Sequence, residues 1–213
     1  MDTKQILIQA GNHVAEGLSK IDPAQVDAMA KGIAKANRVF VSGWGRAGNV
    51  AGILGMDMSQ VGKLVYRVGD NNTPSIHEGD ILLVMSGSGN TKTISIIAQE
   101  AKDFGAEVGL ISTSAESIIG EIADYNIVIP KVDTPMNRIM AEKRPQRDPK
   151  FKSTAGTREN WDLTDEEREQ MTLEQMELTY QIAFVLNEII QHKVMEEIGE
   201  TVECVHYYHN SLE

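Results

Sequence analysis

Apolar positions follow two different rhythms along this chain. Ile6, Ala10, Val14, Leu18 and Ile21 recur at spacings of four, four, four and three, which places them on one face of a first helix. Asp22-Pro23 opens a second helix. Asp22 is a cap, proline suits the first helical position, and Gln25 stands at the capping-box offset. Val26, Met29, Ala30 and Ile33 form its apolar stripe, and Asn37 stops it. From residue 38 the rhythm shortens. Arg38-Val39-Phe40-Val41 reads as a buried strand ending in glycine. Alternation continues: helix 49–61, strand 64–68, strand 81–85, helix 91–104 stopped by Gly105, strand 108–112, short helix 117–123 and strand 126–129. Strands that alternate with helices predict an α/β fold. Its expected form is a doubly wound, flavodoxin-like parallel sheet of five strands flanked by helices on both faces.

The pattern breaks over 131–170. Between Arg138 and Arg158 there are seven bases against two acids, and from Glu159 to Glu177 eight acids against one base. The basic half, with Pro145 and Pro149, is expected to be a long excursion, an insertion or lid before the last helix. The acidic half starts Asp165-Glu166-Glu167, and acids favour a first helical turn. The helix expected from there runs to about Ile198, with Ile182, Val185, Leu186, Ile189 and Ile190 on a broad apolar face. That breadth exceeds one sheet contact and predicts a homodimer or homotetramer built through this helix and the N-terminal helices.

Composition narrows the classes. The chain has 213 residues, 41% hydrophobic and 24% charged, a single-domain globular profile. No stretch is long and apolar enough for a membrane span, and the opening residues do not read as a signal peptide. One cysteine, Cys204, excludes an internal disulfide framework and a multi-cysteine zinc site, so the expected compartment is the cytoplasm. A net charge of −11 argues against broad nucleic-acid binding. It leaves room for a small anion held by backbone dipoles.

Two glycine-rich turns carry the chemistry. Gly43-Trp44-Gly45-Arg46-Ala47-Gly48 follows the first strand, and Ser86-Gly87-Ser88-Gly89-Asn90-Thr91 follows the third. Both lead into helices, whose N–H groups and dipole favour an anion. Ser86, Ser88 and Thr91 add three hydroxyls, which together make a cradle for one phosphate. In a two-one-three strand order the two turns face one pocket. The first turn also matches G-x-G-x-x-G, and Asp70 stands 22 residues after Gly48, which reads as a dinucleotide fingerprint with its ribose partner. The hydroxyl-lined second turn lies outside that fingerprint and suits a small phosphorylated ligand.

These turns, with Val68-Gly69, Thr73-Pro74 and Glu78-Gly79-Asp80, resemble the sugar isomerase (SIS) domain. The run VGDNNTPSIHEGDILLVMSGSGNT is most similar to 6-phospho-3-hexuloisomerases. The resemblance covers 1–130 well and 172–213 more loosely, while 131–170 has no recognised counterpart. It implies a single SIS domain over 1–213, a phosphorylated sugar as ligand, oligomers, and no metal or redox cofactor. Carried over, Ser86, Ser88 and Thr91, with Asn90 in the same turn, hold the phosphate, and Gly45 and Arg46 lie on the sugar side. Hexuloisomerases open the last helix with a proline-methionine-glycine-threonine stretch and then a glutamate. The corresponding residues here run from Met171 to Glu177 and lack the proline-glycine entry. Glu177 keeps the carboxylate and is implied as the base. The family tail His-Ala-Asn-Leu-Glu appears as His209-Asn210-Ser211-Leu212-Glu213, which implies His209 for proton transfer. The expected reaction interconverts a 3-hexulose 6-phosphate and fructose 6-phosphate. The alternatives are a non-catalytic phosphosugar-binding module and a dinucleotide-binding oxidoreductase.

Overall fold

The computed structural model describes residues 2–130, 138–139, 142–143, 163–168, 178–209 and 211. The chain divides into two compact units. The smaller takes Met1–His13 and Lys131–Leu178, and the larger takes Val14–Pro130 and Thr179–Glu213. In the smaller unit Thr164 and Glu167 cap a helical turn at 165–168 reciprocally. The Thr164 N–H donates to Glu167 Oε2 at 2.8 Å, and the Glu167 N–H to Thr164 Oγ1 at 3.2 Å. Lys143 Nζ lies 2.7 Å from Glu167 Oε2.

In the larger unit five parallel strands stand in the order β2-β1-β3-β4-β5. They are β1 (Arg38–Ser42), β2 (Leu64–Arg67), β3 (Ile81–Met85), β4 (Glu107–Ser112) and β5 (Tyr125–Val128). The helices are α1 (Thr3–Ser19), which crosses from the smaller unit, α2 (Pro23–Lys35), α3 (Gly45–Ser59), α4 (Lys92–Asp103), α5 (Ile118–Ile122), α6 (Thr179–Ile198) and α7 (Glu203–Tyr207). The period-two alternation of the strands sorts the core into two layers. Val39, Val41, Leu83 and Met85 pack with α2, α3 and α6, while Phe40, Leu82 and Val84 pack with α4 and α5. The five-stranded α/β sandwich expected from the alternation is therefore the observed architecture. Among the described residues no helix is long and apolar enough to cross a membrane.

Two local expectations differ. Asp22 caps α2 by accepting from the Ala24 N–H at 2.9 Å, but Gln25 does not complete a capping box. Its Oε1 accepts from the Val128 N–H at 2.9 Å and ties α2 to β5, because a buried strand donor needs a partner. Helix α3 starts at Gly45 rather than 49, since the Gly48 N–H already donates to the Trp44 carbonyl at 3.3 Å. The glycine turn is thus the first turn of the helix itself. Of the last expected helix, α6 is described from Thr179 to Ile198, and 169–177 lies outside the described residues.

The amino end of the sheet is pinned by Arg38 and Asp80. Nε donates to Oδ1 at 3.0 Å and Nη2 to Oδ2 at 2.6 Å, and the His77 N–H donates to Oδ2 at 2.9 Å. Burial pushes the Asp80 carboxyl up, but these donors outweigh it and hold it below the usual range.

Candidate functional site

The carboxyl end is built differently. Neighbouring strands β1 and β3 (Ser42 opposite Val84) both run into glycine turns at the same edge. Helices α2 and α5 are capped by side chains, Asp22 and Ser117. Helices α3 and α4, which start at the two turns, have no side-chain cap. Their first N–H groups are left for another acceptor, and both helix dipoles point positive there.

The second turn is a supported cradle. Ser86 is buried, its N–H donates to the Ile111 carbonyl at 3.1 Å, and its Oγ stands 3.4 Å from Thr91 Oγ1. Thr91 is the capping residue of α4 yet does not use its hydroxyl as a cap. Ser88 is exposed, and its Oγ accepts from the Asn90 N–H at 3.2 Å. The Asn90 side chain is engaged within the scaffold. Its Nδ2 donates to the Ser88 carbonyl at 2.9 Å, and its Oδ1 accepts from the Ile118 N–H at 2.9 Å. Gly89 has φ +63°, and a Cβ there would collide with Ser117. From behind, the Thr113 N–H and Oγ1 both donate to the Gly87 carbonyl, at 2.9 and 2.8 Å. Thr113 and Ser117 carry no weight in a search for glycine turns. Their signal is the hydroxyl-rich run Ser112-Thr113-Ser114 at the end of β4.

The first turn is close-packed. A Cβ on Gly48 would stand 2.5 Å from the Gly43 carbonyl oxygen, and one on Gly43 would stand 2.9 Å from the Met85 oxygen. Gly45 opens α3 with φ +59°. Trp44 Nε1 donates to Thr93 Oγ1 at 2.8 Å, which links the first turn to the opening of α4. The Arg46 guanidinium lies 4.5 Å from the ring centroid of Tyr180, a residue of α6 that the sequence pattern does not single out.

The other proposed residues fall elsewhere. Glu177 lies outside the described residues. His209 is exposed and follows Tyr208, whose ring is the nearest neighbour of a Cβ built on Gly62. Gly62 comes just after the C-terminal end of α3, and Arg46 is in its first turn. The rise of that helix puts roughly 20 Å between them. Asp70 lies at the end of β2 in a groove with Arg67, Asn49 and Gly52.

Relatives share this frame. A 3-hexulose-6-phosphate isomerase of Mycobacterium gastri is 40% identical over 119 residues, 56% of this chain and 60% of that one. A 3-hexulose-6-phosphate isomerase of Methylomonas aminofaciens is 38% identical over 119 residues, 56% of this chain and 61% of that one. The similarity thus spans about three fifths of these relatives' length. The crystal structure of a hypothetical protein superposes with a TM-score of 0.74 at 23% identity, over 98% of this chain and 96% of that one. Residues 32–142, which hold both glycine turns and all five strands, match the SIS domain as a family; the chain belongs to it.

Proposed function

We propose that the protein is a phosphosugar isomerase that interconverts a 3-hexulose 6-phosphate and fructose 6-phosphate. One observation carries the reading. Two helix N-termini without side-chain caps open at adjacent strands, and one of them is lined by Ser86, Ser88 and Thr91. Such a site holds a phosphate monoester through backbone N–H groups and hydroxyls. Relatives named as 3-hexulose-6-phosphate isomerases support the choice of sugar.

The chemistry moves a carbonyl by one carbon and is redox-neutral. A base removes the proton on carbon 2, a cis-enediol spans carbons 2 and 3, and the proton returns to carbon 3. The hydroxyl proton moves between the two oxygens in the same sequence. Glu177 is the proposed base. Ser86, Ser88 and Thr91 anchor the phosphate, with Asn90 shaping their turn, and Gly45 and Arg46 face the sugar. Anchoring the phosphate orients the reacting carbons, so binding energy from a remote group lowers the barrier. His209 is proposed to move the oxygen-bound proton in a neighbouring subunit's site, because in its own chain the length of α3 separates it from Arg46. That requires a homodimer or homotetramer. Phe184, Val185 and Ile189, exposed on the outer face of α6, are the proposed contact.

The test is proton exchange from solvent deuterium at the sugar carbons, followed by NMR. Wild type is expected to exchange and isomerise, and Glu177→Gln to bind sugar phosphate without exchange. Binding without exchange in the wild type would identify a phosphosugar-binding module instead. A monomer mass in sedimentation equilibrium would remove the shared site.

A further inference from the structure

Tyr180 joins the two turns. It sits in the first turn of α6, half-buried, with one face of its ring under the Arg46 guanidinium at 4.5 Å. That is well inside cation–π range. Its other end points at the second turn. A Cβ built on Gly87 would meet one heavy atom within 4 Å, the Tyr180 hydroxyl at 3.5 Å. A gap the size of a small group therefore separates the phenol from the cradle. Arg46 and Gly87 belong to different turns, and Tyr180 touches the space beside both.

The charges around this gap need something added. Arg46 lies in the first turn of α3, where the helix dipole disfavours a cation. In a chain with net charge −11 it nonetheless has no carboxylate partner among the described residues. An anion placed between the helix N-termini and the guanidinium satisfies both at once. The Tyr180 hydroxyl likewise has no hydrogen-bond partner among the described residues, although it faces a turn with hydroxyls and free N–H groups. A phenol can donate to a phosphoryl oxygen or accept from a sugar hydroxyl.

We propose that Tyr180 is the positioning residue of the ligand site: its ring holds Arg46 toward the bound sugar phosphate, and its hydroxyl closes the open side of the second turn over Gly87. This rests on the phosphosugar reading and deepens it, since the ligand is then a phosphomonoester gripped from both turns through one aromatic side chain. The α6 helix, whose first turn holds Tyr180, is thereby registered to the ligand.

A double-mutant cycle tests it, with calorimetric titration of fructose 6-phosphate and of inorganic phosphate into the full chain. Tyr180→Phe keeps the ring and loses the hydroxyl, so affinity should fall about three- to tenfold. Tyr180→Leu loses both and should fall about a hundredfold, near Arg46→Ala. The double variant of Tyr180→Leu with Arg46→Ala should be weaker than Arg46→Ala alone by no more than the roughly three- to tenfold of the lost hydroxyl, a non-additivity that a merely structural role does not produce. Gly87→Ala guards against a Tyr180→Leu protein that fails to fold. Gly87 is not at positive φ and its added methyl meets only ordinary contact, so the fold should survive while the methyl fills the gap and affinity drops at least tenfold. Wild-type affinity in Tyr180→Leu and Gly87→Ala, or an additive cycle, overturns the proposal and leaves the phosphosugar reading standing. A wild type that binds inorganic phosphate with the expected cycle but no sugar phosphate retains Tyr180 and overturns the sugar. A wild type that binds neither ligand overturns both.

Discussion

The two glycine turns look alike in sequence and do different work. In the first, Gly43 and Gly48 are small because backbone passes over backbone; a methyl at either position meets a carbonyl oxygen within 3 Å. In the second, Gly87 has ordinary space around it, and the turn is defined by hydroxyls and by bonds from behind. Glycine alone therefore marks close packing. Glycine with hydroxyls, an unspent helix cap and a hydrogen-bonded backing marks a ligand seat. Tyr180 and Trp44 then link a packing device to a binding device.

The largest effect that separates the two is at Gly48. Gly48→Ala places a Cβ 2.5 Å from a backbone oxygen that cannot swing aside. Overpacking against backbone is expected to lower stability by about 3 kcal/mol, the upper end of its usual range. Urea denaturation should show this, beside a Gly87→Ala midpoint close to wild type. Equal midpoints would erase the distinction between the turns.

The helix that the first turn opens also buries a carboxylate. Asp57 of α3 faces α6 and is 3% exposed, and its Oδ2 has no hydrogen-bond partner among the described residues. Gln191 of α6 lies beside it, and its Nε2 donates to the Asp57 backbone carbonyl at 2.9 Å. Burial, with repulsion from Glu188, pushes the carboxyl from 3.8 up to about 7. Between these values the folded chain keeps a proton that the unfolded chain has lost. Stability therefore falls as pH rises from about 4 to 7 and levels off above that. Asp57→Asn should flatten this slope and stabilise the protein at pH 8 by on the order of 2–3 kcal/mol. An unchanged slope between pH 4 and 7 would assign the pH response to other groups.

Much of this was readable beforehand, for identifiable reasons. Buried parallel strands such as Ile81–Met85 leave an uninterrupted apolar run, and turns between them leave glycine, so the sheet and the facing turns followed from period and punctuation. The start of α3 did not, because glycine reads as a breaker although here it is the helix's own first turn. Gln25 looked like a local cap but serves β5, about a hundred residues away, and no local pattern reports such a bond. Tyr180 was invisible for the same reason. An aromatic at the edge of a helix stripe looks like core until the fold sets Arg46 on its face. Thr113 was equally hidden, since its partner is the Gly87 carbonyl on a different strand's turn.

Asn90 and Ser88 then divide the second turn into scaffold and seat. Asn90→Ala removes the acceptor of the Ile118 N–H and the donor to the Ser88 carbonyl, so it loosens the join between the turn and α5. About 1 kcal/mol of stability is the expected loss, as for a typical hydrogen bond, with a secondary loss of affinity. Ser88→Ala is the smallest change and the sharpest. Ser88 is exposed, and its Oγ makes one 3.2 Å bond within its own turn. Its removal should shift stability by less than about 0.5 kcal/mol. A hydroxyl bonded to a charged phosphate contributes more than that, so affinity for fructose 6-phosphate should fall roughly tenfold. Thr93→Ala, which frees the Trp44 indole on the first-turn side, serves as the control and should move affinity much less. If Ser88→Ala and Thr93→Ala weaken binding equally, the hydroxyls of the second turn have no special claim on the phosphate, and the division between a packing turn and a binding turn fails at its centre.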